Sequence, residues 1–254
     1  MLPVLKIVPV NSLYLHERND IQRTRRLKRK IAADGVLTNP PIVTPFSGGK
    51  KYIVLDGANR VTAVSLLSLP HIIVQIVDYK KEVIVQTWNH LVEGEGVVRD
   101  ILSFLSNREF SSFFQRKGNV ITFSPVQKGN FEKILHFMNE LYHLYRHASF
   151  QRVVESGFPR RQKDRPRGKS ILIVYPPFRQ EAIVRAVSLG LKVPSGITRH
   201  IVHRRALGVD ISLSLMRRKI SLQEKNAILT RMISRRIHSG HVRVYEEPVV
   251  IYND

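Results

Sequence analysis

Between Tyr52 and Ala63 the chain reads Tyr-Ile-Val-Leu-Asp-Gly-Ala-Asn-Arg-Val-Thr-Ala, and few local structures accommodate that order. Tyr52 to Leu55 are aromatic, β-branched or aliphatic, which predicts a short buried strand. Asp56-Gly57 ends it, because Gly reaches backbone angles closed to other residues and Asp tolerates a turn. From Asn59 to Leu69 there is no Gly or Pro, and Val61, Val64 and Leu67 or Leu69 share one helical face. A strand, a tight turn and a helix leave the first helical N–H groups just past the turn, with the fixed charge of Arg60 beside them. That arrangement suits an anion. It equally suits an ordinary strand–turn–helix connection with a surface arginine.

Other elements follow in chain order. Val4 to Val10 predicts a strand, and Asn11-Ser12-Leu13 a turn into Leu15-His16-Glu17. Ile21 to Ala33 predicts a helix capped by Asp20. It is strongly basic, with Ile21, Leu27 and Ile31 as its apolar face, and Asp34-Gly35 breaks it. Pro40-Pro41 forces an extended entry into Ile42-Val43. Ser47 to Lys50 is a hairpin-like turn, Ile72 to Val77 a buried strand, and Glu82 to Trp88 a half-buried strand by alternation.

From Glu93 the character shifts. Val97 to Leu105 predicts a helix and Asn119 to Ser124 a strand. Phe131, Ile134, Leu135, Met138, Leu141, Tyr142 and Tyr145 recur at three- and four-residue steps, the core face of a helix over 130–147. Gly157 to Gly168 reads as a mobile basic loop. Ser170 to Val174 predicts a strand, Arg179 to Leu189 a helix, and Val193 to Gly196 a tight loop leading to Thr198-Arg199-His200. Leu222 to Ile237 predicts a helix with a Ser221/Glu224 capping box, and Val242 to Tyr252 an extended or hairpin segment. Two lobes are expected, 1–92 and 93–254.

The charge is the unusual number. Lys and Arg total 41 against 20 acids, a formal net charge of +21. Such a balance favours polyanionic partners, without distinguishing nucleic acid from nucleotide or from a solvated basic surface. There is no Cys, which excludes disulfides and thiolate metal sites. No run approaches the ~20 apolar residues of a membrane span, and a soluble cytoplasmic protein is expected. His143 and His147 stand four apart on a helix, but no acidic third ligand accompanies them.

Asp56-Gly57-Ala58-Asn59-Arg60 resembles the D-G-x-H-R box of the ParB/sulfiredoxin fold. Leu15-His16-Glu17, the following basic helix, Asn39-Pro40-Pro41-Ile42-Val43, Thr87-Trp88 and Thr198-Arg199-His200 complete an ordered set. Together they resemble the free L-serine kinases of that superfamily, including regulator-like members found with siderophore biosynthesis. The resemblance spans about residues 5–90 and 170–215. It implies an α+β chain with a ParB/sulfiredoxin-like N-terminal domain and a second mixed α/β lobe. The implied reaction is transfer of a phosphoryl group from ATP or ADP to L-serine, serving siderophore or cysteine-type biosynthesis.

The resemblance also implies roles. Glu17 would take the proton of the serine hydroxyl, and Asp56 would join the catalytic cluster and bind Mg2+. Gly57, Ala58, Asn59 and Arg60 would hold nucleotide phosphates. Trp88, Thr198, Arg199 and His200 would hold the amino acid. One position departs from the pattern: Asn59 stands where the family has His, which keeps hydrogen-bond donation and loses titration. Sulfiredoxin chemistry is excluded for want of a Cys. The alternative is a ParB-like DNA-binding regulator that senses a nucleotide or metabolite, binding DNA through the basic helix 21–31 and loop 160–169. Against it, no convincing helix-turn-helix follows the N-terminal domain.

Overall fold

The computed structural model describes residues 2–106, 108–127, 129–154 and 169–245. The first part of the chain runs β1 (Val4–Pro9), β2 (Leu13–Leu15), α1 (Ile21–Asp34), β3 (Val36–Leu37), β4 (Ile42–Phe46), β5 (Lys51–Asp56), α2 (Ala58–Leu66) and β6 (His71–Ile76). Five of these strands form a mixed sheet in the order β1-β6-β4-β5-β2. β6 lies inside it, so Ile72, Ile73 and Val74 are buried on both faces, as their unbroken apolar run requires.

Then come α3 (Tyr79–Glu82), β7 (Val83–Glu93), α4 (Glu95–Leu105), β8 (Phe114–Lys117), β9 (Val120–Phe123), α5 (Phe131–Tyr145), β10 (Ser149–Val154), β11 (Ser170–Val174) and α6 (Gln180–Ser188). The chain continues through β12 (Thr198–Val202), β13 (Ile211–Ser212), α7 (Leu213–Arg217) and α8 (Leu222–His238). A second sheet runs β10-β7-β11-β9-β8, with β12 also paired to β7. α5 packs its predicted face into this sheet's core, with Phe137 amid a cluster of Phe rings. The C-terminal elements return to the first sheet. Ile211, Met216 and Leu229 join its core, and Asn226 exchanges two hydrogen bonds with the Ile7 main chain at 2.8 and 2.9 Å.

Several expectations need correction. α2 ends at Leu66, not Leu69, because Ser68 takes a left-handed φ of 54°. Ile21 is 62% exposed, and Thr24 takes its place as a buried anchor of α1 with Ile31. Glu82 closes the short α3, and the strand after it continues to Glu93, well past Trp88. Alternation fades there because both faces of β7, paired on its edges to β10 and β11, are covered, so that Asn89, His90, Leu91 and Val92 are all buried. Residues 242–245 carry no regular element, and 246–252 lie outside the described residues, as do 155–168, which include the whole expected basic loop from Gly157 to Gly168.

His90 marks the middle of the second core. Its Nε2 faces the Gly196 carbonyl at 3.3 Å, which can only accept, so Nδ1 accepts from the Tyr145 hydroxyl at 2.8 Å. Tyr145 is in turn bonded to Tyr175. Burial pushes the imidazole down to about 3, against a smaller upward pull from the Gly196 carbonyl. The unfolded chain therefore binds a proton near pH 6.5 that the folded chain refuses, and stability falls as pH drops through that window towards 3. By pH 5 this one group costs roughly 2 kcal/mol relative to pH 7. Denaturant titrations at both pH values should show that loss, and His90→Gln should reduce it. An unchanged difference in the variant would assign the acid sensitivity elsewhere.

Candidate active site

Residues from both ends of the chain line one cavity of about 210 Å3: Glu17, Asp56 to Arg60, Trp88 and Thr198 to His200, joined by Arg23, Arg152, Ser195 and Arg205. Every residue singled out from the sequence is among them.

The turn after β5 is built around Gly57, the N-cap of α2, at φ 96°. A Cβ there would sit 3.0 Å from Arg60 Nε and 3.0 Å from Pro41 Cβ. The helix starts immediately, with Val61 N–H on the Gly57 carbonyl, so the N–H groups just before it have no helical acceptor. Asp56 at the strand end accepts from Arg60 Nη2 at 3.0 Å and Arg205 Nη1 at 2.9 Å, both on Oδ2. Burial opposes its ionisation most strongly, but Arg60 and Arg205 outweigh burial and hold the carboxyl below its ordinary range.

Arg60 has partners beyond Asp56. Its Nη1 donates to the Asn39 carbonyl at 2.7 Å and the Pro40 carbonyl at 3.3 Å. The guanidinium therefore also ties the Pro40-Pro41 entry of β4 to the turn while it lines the cavity. Asn59 is also engaged. Its side chain accepts from Asp20 N–H and Thr24 Oγ1, each at 2.9 Å. A main-chain N–H can only donate, so the atom facing it is Oδ1, and Nδ2 is the donor this residue retains for the cavity. Asn59 thus pins the start of α1 to the start of α2.

Glu17 stands two residues past the end of β2. Arg18 N–H donates to the Val193 carbonyl and Val193 N–H to the His16 carbonyl, so the chain around Glu17 is strapped to the loop before β12. Gly196 N–H reaches Glu17 Oε2 at 3.1 Å. Gly196 has φ 74°, and a Cβ on it would run into the Arg152 guanidinium. Arg199 lies over the Trp88 ring, its Cζ 4.7 Å from the centroid, with Nη1 towards Gln86 at 3.4 Å. A stacked, oriented guanidinium suits a carboxylate. His200 is nearly buried and bonded through Nε2 to the Tyr79 hydroxyl at 2.8 Å, and the Leu55 main chain also acts on its ring. Burial first, and the nearby His16 second, push it down to about 3, so it is neutral.

Five arginines therefore face two carboxylates, an anion-accepting cavity with oriented acids inside it. Arg152 and Arg205 carried no signal in a sequence with 41 basic residues, and Arg23 stood out only as one charge of the basic helix 21–31. A protein-built magnesium cage does not fit. Among the described residues no three His, Cys, Asp or Glu side chains gather as a metal site, and Asp56 Oδ2 already holds two guanidiniums.

No family model matches the chain. Over 258 residues, 96% of this chain and 97% of the relative, it is 24% identical to the ATP-dependent L-serine kinase SbnI of Staphylococcus aureus. It is 30% identical over 160 residues to an ATP-dependent L-serine kinase of Staphylothermus marinus, covering 61% of this chain and 62% of that one. Among solved structures, C-terminally truncated SbnI from Staphylococcus aureus superposes with a TM-score of 0.72 at 21% identity, covering 94% of this chain and 97% of that chain. A free serine kinase in complex with AMP does so at 0.62 and 13% identity, covering 88% and 94%. The chain has the fold of these proteins.

The turn yields a direct expectation. Gly57→Ala should destabilise the protein by about 1–3 kcal/mol, from the positive φ and the contacts with Arg60 and Pro41. Chemical denaturation measures it, and an unchanged midpoint would mean the turn relaxes without cost.

Proposed function

We propose that this chain is a free L-serine kinase that transfers the γ-phosphoryl group of ATP to the serine hydroxyl. One observation carries the reading. A single cavity is lined by Glu17, held by a main-chain N–H, by the oriented guanidinium of Arg199 and by the N-terminus of α2 with further arginines. The relatives named ATP-dependent L-serine kinases support both acceptor and donor.

The chemistry follows from the placement. Arg199, stacked on Trp88, binds the serine carboxylate with two parallel bonds. That leaves the hydroxyl near Glu17, which takes its proton as the oxygen attacks the γ-phosphorus. The bond between that phosphorus and the β–γ bridging oxygen breaks, and ADP leaves with the electron pair. The start of α2, from Gly57 to Asn59, presents N–H donors to the phosphates, and Arg23, Arg152 and Arg205 neutralise their charge. Asp56 fixes Arg205 at that position. Magnesium supplies further charge neutralisation when it arrives with the nucleotide, and no step here depends on it. A cytoplasmic setting, where ATP is available, fits this reading. No helix among the described residues is long and apolar enough to cross a membrane.

The DNA-binding alternative has one support, the exposure of Arg25, Arg26, Arg29 and Lys30 on α1. Arg23, at the start of the same helix, faces the cavity instead.

Protein incubated with L-serine and ATP should yield O-phospho-L-serine by mass spectrometry. Glu17→Gln should lower the rate about 100-fold or more with nucleotide binding intact. A variant with full activity would remove Glu17 as the base. Arg199→Ala should raise the KM for serine roughly tenfold or more and leave that for ATP little changed. An equal rise in both would contradict the carboxylate assignment.

A further inference from the structure

His16 precedes Glu17 in the chain and is 1% exposed. Its ring makes two contacts. Nδ1 lies 2.6 Å from the Val54 carbonyl of β5, and Nε2 lies 2.8 Å from Thr198 Oγ1. A carbonyl oxygen can only accept, so Nδ1 carries the proton of the neutral ring. The opposite tautomer would press a lone pair against the carbonyl. Nε2 is then an acceptor, and its partner must donate. Thr198 has one hydroxyl proton. Glu17 Oε2 competes for it from 3.5 Å, beyond the usual range for O–H···O, whereas the imidazole nitrogen sits at a normal distance.

We propose that His16 is a positioning residue for the base: it takes the hydroxyl proton of Thr198 and so prevents that hydroxyl from donating to Glu17. The inference rests on the kinase reading for its consequence, but the proton placement stands on geometry alone. With the hydroxyl turned to His16, Glu17 Oε2 keeps one donor from this loop, the Gly196 N–H. A second donor would stabilise the carboxylate and weaken it as a base. Thr198 also becomes an acceptor towards the cavity, and the amino-acid group it can meet is a donor, the ammonium or the hydroxyl. Arg199, which can only donate, meets the carboxylate. Donor and acceptor thus alternate along β12, and a bound amino acid has one orientation.

The groups packed around His16 leave this arrangement undisturbed. His200 stands edge-on with its centroid 4.9 Å away and is itself neutral. Tyr79 holds the far side of His200. Asp56 and Arg205, the charges that act on His200, are paired with each other.

Two measurements test the proposal, one of them independent of activity. In 15N-histidine NMR at alkaline pH, His16 should show a protonated Nδ1 and an unprotonated, hydrogen-bonded Nε2. Thr198→Val should remove that bond and shift the Nε2 resonance. A protonated Nε2, or an Nε2 indifferent to Thr198→Val, overturns the proposal whether or not the protein is a kinase. In kinetics, His16→Asn retains a donor for Val54 and loses the acceptor for Thr198. The acid limb of the serine kcat/KM profile should move down by roughly one pH unit, and adding Thr198→Val should return it. A limb that stays in place in folded His16→Asn protein also overturns it. Wild-type protein that makes no phosphoserine overturns the kinase reading instead, and the NMR result still decides the proton.

Discussion

The site depends on one main-chain strap. Val193 bonds to the His16 carbonyl and to Arg18 N–H, and Gly196 N–H bonds to the Glu17 carboxylate, across 179 residues of sequence. The strap is rigid because its neighbours are buried. Val193 and Ile197 are fully inside the second core, so the chain alternates inward anchors with outward site residues, Ser195 and Gly196, then Thr198. His90 reaches out of that core to hold the Gly196 carbonyl. Closing so long a loop costs little more than closing a shorter one, since the entropy grows only with the logarithm of length. The second sheet's core therefore does double duty: it stabilises the fold and aims the acid.

A second constraint is electrostatic. The cavity collects arginines, whose repulsion opposes folding, and two devices offset it. Asp56 pairs with Arg60 and Arg205, and Arg60 also satisfies two carbonyls at the Pro40 entry. Arg199 lies on the Trp88 ring. What remains is positive charge facing the cavity with its geometry set before any ligand arrives, the condition under which charge accelerates phosphoryl transfer. His90 and His200 add none, because burial holds both neutral.

Much of this was legible in the sequence because it is local. Periodicity located α5, and the Ser221/Glu224 box marked the start of α8. Asp56-Gly57 announced its turn through glycine's backbone freedom. The ten candidate residues share one cavity because ordered motifs imply a shared fold. The rest is long-range. Nothing near Arg205 distinguishes it from the other basic residues, and its pairing with Asp56 spans 149 positions. His16 was visible, but its partners Val54 and Thr198 were not. Arg60 is similar: it lines the cavity, and only the packed structure shows that carbonyls of the Asn39-Pro40 segment also hold its guanidinium.

The most direct test of the central claim is a crystal structure with L-serine and a non-hydrolysable ATP analogue bound. The serine carboxylate should lie on Arg199, its hydroxyl oxygen within about 2.6–3.2 Å of a Glu17 oxygen, and the γ-phosphate against the start of α2. Serine bound with its hydroxyl turned from Glu17, or phosphates seated away from Gly57 to Asn59, would contradict the account.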